Sequence, residues 1–221
     1  MPDELPAFLV DIDGTLVDTN YFHVVAWWRA FQDIGEDVAM SRILPLIGMG
    51  SDQMAHRLIG RESKEASDAH SHHYESFKKE IKAFPEAAEL MANLAQRGAR
   101  VVLATSSDEE DLERLREAVD AEDAVHGAVS KGDVEHSKPS PDIFGAALEK
   151  FDLDPSRTLV LGDTEWDVEA AGKLGLEVVC VLTGGSTREH LEHVGAIAVY
   201  EDVAELLAHL DESPLSKLLD G

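Results

Sequence analysis

The chain has 221 residues, 44% of them apolar, enough for a sizeable core in one large domain or in one domain with a smaller one inserted. Its 44 acidic residues outnumber 19 lysines and arginines, a formal net charge of −25 that repels nucleic-acid phosphates and anionic lipid and argues against both as partners. No run of about 18 apolar residues offers a membrane span, Met1 to Pro6 fits neither a secretory nor a transit signal, and the single Cys180 rules out an internal disulfide, so a reduced cytoplasmic protein is expected.

In chain order, the first element is a short apolar run at 7–10 that stops at Asp11 and reads as a buried strand. Residues 19–84 then read as helical throughout. Segment 20–34 is one aromatic-rich helix, with 51–59 and 65–81 as two more. Trp27 and Trp28 are adjacent, so only one can fully face a core. Gly48-Met49-Gly50-Ser51 reads as a turn with Ser51 as N-cap. His70, His72 and His73 lie among Ser, Glu and Lys and read as a solvated face. Segment 86–96 is a helix with Ala87, Leu90, Met91 and Leu94 on one side and Gly98 as its stop. A strand follows at 99–104. A helix at 107–119 opens with a capping box from Ser107 and Glu110. Another at 141–151 has Ser140 as N-cap and proline first. Strands at 158–161, 178–182 and 197–200 alternate with helices at 165–174 and 203–210. Cys180, inside one of these strands, reads as an inert buried thiol.

Short apolar strands alternating with helices predict an α/β fold, a doubly wound parallel sheet. Residues 1–18 and 85–221 would form its Rossmann-like core, and 19–84 an inserted helical cap. In such folds ligands sit beyond the carboxyl ends of the strands. Those ends carry a recurring chemistry: Asp11-Ile12-Asp13-Gly14-Thr15, then Thr105-Ser106, and Gly162-Asp163-Thr164 with Asp167 one helical turn on, joined by Ser137-Lys138-Pro139 in the loop before 141. Several carboxylates meeting at one edge cannot all stay ionised alone. Magnesium, a hard ion that takes oxygen ligands, is the natural neutraliser. Asp11, Asp163 and Asp167 balance Mg²⁺ and Lys138, so a phosphate dianion would enter a nearly neutral pocket with Asp13 protonated. Gly14 bends the chain and aims Asp11 and Asp13 at the substrate. One carboxylate can attack phosphorus, and the other can serve as acid and then base. Thr105, Ser106 and Lys138 can hold the phosphoryl oxygens.

The segment from Phe8 to Asp18 resembles the first motif of the haloacid dehalogenase superfamily. Thr105 is similar to its motif-two hydroxyl, Lys138 to its motif-three lysine, and Gly162 to Asp167 to its motif-four acids. The insertion after the first strand is similar to the small helical cap of the subfamily that holds phosphoglycolate phosphatases and β-phosphoglucomutases. The resemblance implies a magnesium-dependent phosphoric monoester hydrolase working through an aspartyl phosphate. Its substrate would be a small phosphorylated metabolite, phosphoglycolate-like or sugar-phosphate-like. Asp11 would be nucleophile and metal ligand. Asp13 would be general acid/base, with its carbonyl on the metal. Asp163 would be a metal ligand, and Asp167 would act through a metal-bound water or by orienting Lys138. Ser106 stands where the phosphoglycolate phosphatases often have Asn. Asp13 separates the chain from the namesake dehalogenases, which lack that acid.

His23, near the entry to the cap, and Gly50, in the cap loop, are further candidates for substrate contact. The linkers at 18–20 and 84–85 are candidate hinges. A phosphomutase uses the same core residues but carries a cap arginine after the glycine loop; here 48–54 has none, and Arg57 lies one turn later. A phospho-accepting signalling domain is a more distant alternative. A monomer and a homodimer both remain open. The acidic balance fits an ordinary acidic enzyme or a surface suited to high salt.

Overall fold

The computed structural model describes residues 5–220. The reading of the first residues as lacking a targeting signal falls mostly outside that span. Six strands form one parallel sheet: β1 (Ala7–Val10), β2 (Arg100–Ala104), β3 (Gly127–Val129), β4 (Thr158–Gly162), β5 (Glu177–Val181) and β6 (Ala198–Tyr200). Their spatial order is β3-β2-β1-β4-β5-β6. β1 is therefore central, and the chain reverses direction across the sheet on either side of it, which makes a crevice at its carboxyl end.

Five helices lie between β1 and β2, the first four being α1 (Asn20–Asp33), α2 (Met40–Ile43), α3 (Ser51–Ile59) and α4 (Lys64–Tyr74). The rest are α5 (Ala87–Gln96), α6 (Glu109–Val119), α7 (Asp142–Lys150), α8 (Glu165–Gly172), α9 (Arg188–Val194), α10 (Val203–Ala208) and α11 (Pro214–Asp220). Alternation along β1 sorts the core. Phe8 and Val10 pack with Leu90, Met91, Leu115 and Leu206 on one face, while Ala7 and Leu9 pack with Phe144, Ala147, Val168 and Leu191 on the other. A third cluster, holding Val24, Trp27, Phe31, Ile43, Met54 and Leu58, belongs to the helices between β1 and β2. Trp27 is buried there and Trp28 only partly.

Local expectations fail at several places. β3 has only three residues, too few for an apolar run to stand out. The helix expected at 65–81 ends at Tyr74 and tightens into a 3₁₀ turn over Glu75–Phe77. The helix expected from 107 starts at Glu109, because the Asp108 carboxylate, not the Ser107 hydroxyl, accepts the Asp111 N–H. Ser140 does not cap the next helix; it donates to Asp142 Oδ1 at 2.5 Å. Ser51 is the first helical residue of α3, with Gly50 as its N-cap.

The chain leaves β1 and returns to the sheet through two segments that lie side by side. Asp18 N–H donates to the Lys82 carbonyl (2.9 Å) and Phe84 N–H to the Leu16 carbonyl (2.8 Å).

Candidate active site

The β1 backbone ends in a tight loop. The N–H groups of Leu16 and Val17 both donate to the Ile12 carbonyl, at 2.9 and 3.0 Å. Gly14 adopts φ +79°, and a Cβ there would overlap the Asp163 carboxylate and the Asn20 amide. Gly162 is needed for the same kind of reason, since a Cβ would meet the Asp167 carboxyl. Backbone and carboxylates therefore approach closely only because the sequence supplies glycine at both strand ends.

Three carboxylates converge at this edge. Single oxygens of Asp11, Asp163 and Asp167 lie within 4.8 Å of one another, and all three residues are buried. Lys138, 1% exposed, forms an ion pair with Asp11 and another with Asp167 at 2.8 Å, and also donates to the Ala104 carbonyl at 3.0 Å. Thr15 (3.0 Å) and Asn20 (3.0 Å) donate to the two oxygens of Asp163. Asp167 also accepts from the Thr164 hydroxyl at 2.7 Å, which fixes it on the first turn of α8.

Burial, and then the charges of Asp167 and Asp13, outweigh Lys138 and push the Asp11 carboxyl up to about 7. Burial and the charges of Asp11 and Asp167 push Asp163 well above the carboxylate range. Burial alone would lower the Lys138 ammonium, but the two aspartates beside it hold its pKa above that of a free lysine. A ring of buried oxygens short of positive charge, with glycine backbone packed against it, suits a hard cation that takes oxygen ligands. The donor set thus fits a metal ion.

Asp13 lies apart from that ring. Its Oδ2 accepts from Ser107 Oγ at 2.7 Å and from Thr105 Oγ1 at 3.4 Å. Its Oδ1 accepts from Thr19 Oγ1 at 2.7 Å and faces His23 Nε2 at 3.4 Å. Burial works to raise its pKa, but the hydrogen bond and charge of His23, with the Ser107 and Thr19 hydroxyls, win and hold it at about 2. Without substrate these partners keep Asp13 ionised; the protonated Asp13 expected from the sequence belongs to the pocket that holds the phosphate.

A cavity of about 490 Å³ opens above these residues. Asp11, Asp13, Thr105, Ser106 and Ser107 line its floor, and His23, Met49, Ser51, Ser67 and His70 line the helical side. The Ser106 hydroxyl is buried without a hydrogen-bond partner, an unspent donor in the floor. Of the sequence candidates, Asp11, Asp13, Thr105, Ser106 and His23 meet in this cavity, with Asp163, Asp167, Lys138 and Gly14 packed around its floor. Gly50 does not join them: its N–H is taken by the Lys138 carbonyl at 3.1 Å. Arg57 also lies elsewhere, stacked 5.8 Å over the Trp166 ring and lining a separate cleft.

His70 corrects the expectation of a solvated face. It is buried, lies between the Trp27 and Tyr74 rings at 4.4 and 6.0 Å, and its Nε2 is 3.2 Å from His23 Nδ1. Burial, with the charge of His23 second, holds its imidazole neutral. His72 is exposed, and His73 Nε2 reaches the Asp33 carboxylate at 2.7 Å. Sequence reasoning also missed Thr15, Thr19, Asn20 and Ser107 as partners of these carboxylates. Their position in the segments that follow β1 and β2 was the available signal.

A model of the haloacid dehalogenase-like hydrolases matches residues 5–175. The chain belongs to this family. It is 31% identical to Protein CbbY of Cereibacter sphaeroides over 94% of this chain and 97% of that protein. It is 27% identical to a phosphorylated carbohydrates phosphatase of Thermotoga maritima, over 88% of this chain and 94% of that one. The crystal structure of a hydrolase from Pseudomonas syringae superposes with TM-score 0.88 at 34% identity, covering 94% of this chain and 98% of that one. Among the described residues, no helix of this α/β hydrolase is long and apolar enough to cross a membrane.

Proposed function

We propose that this hydrolase removes the phosphoryl group from a small phosphorylated metabolite, with Asp11 as the attacking carboxylate. The chain is a phosphatase of the haloacid dehalogenase type, in line with relatives named for that activity. The observation that carries the residue assignment is the buried Lys138 ammonium held between Asp11 and Asp167 beneath a cavity lined by hydroxyls. That arrangement binds an oxyanion and keeps a carboxylate beside it as nucleophile. Magnesium is the metal we assign to Asp11, Asp163 and Asp167, with the Asp13 carbonyl as a further ligand. When bound it would neutralise the carboxylates and polarise the phosphoryl oxygens.

The residues then divide the work. Thr105, Ser106 and Lys138 hold the phosphoryl oxygens, and Asp11 attacks phosphorus to give an aspartyl phosphate. Asp13 protonates the leaving oxygen and afterwards takes a proton from water. Because resting Asp13 is ionised, its proton for the first step arrives with the substrate. A phosphomonoester monoanion carries one, and the anion's approach raises the Asp13 pKa. Residues 19–84 act as a cap that closes over the cavity from hinges at 18–20 and 84–85 and excludes water.

The position of Arg57 outside the cavity weighs against a mutase, which needs a cap cation for a second phosphate. Membership of the hydrolase family weighs against a signalling domain. The single buried cysteine, Cys180, supports a reducing, cytoplasmic location; a monomer and a homodimer fit equally.

The test is release of inorganic phosphate from a panel of metabolite phosphates, with Mg²⁺ and with EDTA. We expect turnover only with metal, and a loss on the order of 10⁴-fold or more in Asp11→Asn. Near wild-type activity in that variant would remove Asp11 as nucleophile. Isomerised sugar phosphates without phosphate release would favour the mutase.

A further inference from the structure

The substrate cavity holds a cation that the chemistry above leaves without a task. Lys131 follows β3 by two residues and lines the cavity, its ammonium reaching Ser51 at the start of α3. We propose that Lys131 is a specificity-determining residue whose ammonium binds an oxyanion, a carboxylate or a second phosphoryl group, on the leaving group of the substrate. The proposal rests on the phosphatase reading.

The argument is one of charge balance. In a chain with 44 acids and 19 lysines and arginines, a half-buried lysine has every opportunity to find a carboxylate. Lys131 has no acidic partner among the described residues. Its contact is the Ser51 hydroxyl, at 2.5 Å. Neighbouring lysines are paired: Lys150 with Asp133 at 3.2 Å and Lys173 with Glu169 at 2.9 Å. The acids that share the cavity wall are also engaged. Asp68 pairs with Lys64 at 2.6 Å, and Asp111 with Arg114 at 3.2 Å and Lys78 at 3.5 Å. Asp108 accepts the Asp111 N–H at 3.0 Å. Among the described residues, Lys131 is the only lysine or arginine that lines the cavity, and no carboxylate pairs with its ammonium.

A partly desolvated ammonium with a neutral partner gains from an entering anion, because an ion pair replaces a hydrogen bond to a neutral hydroxyl. Ser51 adds to the same corner. It opens α3, so the positive end of a nine-residue helix lies beside its hydroxyl. Lys131 comes from the sheet and Ser51 from the helices inserted after β1. An oxyanion held by both would be read by the two halves of the cavity at once. A leaving group of neutral hydroxyls alone would leave Lys131 as it stands, bonded to Ser51.

The test uses matched pairs of phosphomonoesters on the full chain with Mg²⁺. One pair is phosphoglycolate and 2-hydroxyethyl phosphate, and the other is glucose 1,6-bisphosphate and glucose 6-phosphate. The first asks for a carboxylate and the second for another phosphoryl group. In at least one pair the wild type favours the anionic member, and Lys131→Gln lowers the ratio of kcat/KM within that pair tenfold or more, mainly through KM. Lys131→Arg keeps most of the ratio. An unchanged ratio in Lys131→Gln, or an equal loss on both members, overturns the proposal. The same pairs are titrated by calorimetry into Asp11→Asn with and without Lys131→Gln. Absence of turnover in the wild type would sink the phosphatase reading but leave this affinity ratio measurable, and no Lys131-dependent preference for an anionic member overturns the proposal there as well.

Discussion

The cavity has two sides built by different rules. The floor is made of strand ends, where Asp11, Asp163 and Asp167 are buried around Lys138 and each carboxylate has a fixed partner. The helical side is made of side chains from α1, α3 and α4 held chiefly by packing, as His23 and His70 are between Trp27 and Tyr74, with one hydrogen-bonding contact of 3.2 Å between the two imidazoles. The floor is an assembly of buried charges, and the wall is an assembly of packed surfaces. Chemistry should therefore fail when the floor is altered, and selectivity should move when the wall is.

The largest effect expected is on the floor. Lys138→Met removes the ammonium from two buried carboxylates and leaves both without compensation. A stability loss of about 3–5 kcal/mol is expected in EDTA, read by chemical denaturation. Added Mg²⁺ should recover part of it, because the same carboxylates would bind the ion more readily without a competing cation. A loss under about 1 kcal/mol would mean that Lys138 does not hold the cluster together, and the contrast with the wall would break.

Asp13 lies between the two sides, with Ser107 and Thr105 from the floor and His23 from the wall. Asp13→Ala should slow the chemical step by about 10²-fold or more while the protein stays folded. An unchanged single-turnover rate would mean that another group supplies the proton, with His23 the nearest. His23→Ala sharpens the assignment: if the wall only tunes Asp13, that variant slows the reaction less than Asp13→Ala does.

What was legible in the sequence follows the same division. The sheet could be read because each long strand is a short apolar run that ends in a polar residue of distinctive type. Asp11 and Asp13 after 7–10, Thr105 after 99–104 and Asp163 after the run from 158 pointed to the sheet edge where these residues meet. β3 was not legible, since Gly127, Ala128 and Val129 carry almost no pattern. His70 was misread because its sequence neighbours Ser67, Asp68, Ser71 and His72 are polar; its burial comes from Trp27, more than 40 residues away in the chain. Lys131 was overlooked for the opposite reason. A lysine beside Gly132 and Asp133 looks like a solvated turn, and only the fold shows that Ser51, far earlier in the chain, accepts its hydrogen bond.

The smallest effect tests whether the floor is poised for a cation in the resting protein. The Asp11 carboxyl titrates near 7 in the folded chain and at 3.8 when unfolded, and Asp163 is shifted in the same direction. Between about pH 4 and 7 the folded state thus holds protons that the unfolded state has already lost. Stability must fall as pH rises through that window, by up to about 1.4 kcal/mol per pH unit for each such group. Asp111, on the wall and also near 7, adds to the slope with the same sign. Asp13, at about 2, contributes nothing there, because its stabilisation is lost only below 3.8. Saturating Mg²⁺ should flatten the slope by the share that belongs to Asp11 and Asp163 and leave the share of Asp111, since the ion lowers the pKa values of the carboxylates it touches and no others. Denaturation curves at pH 4.5, 5.5 and 6.5, with EDTA and with Mg²⁺, separate the two. If the slope is the same with and without the ion, the buried carboxylates are not where the metal acts, and the electrostatic distinction between floor and wall is lost.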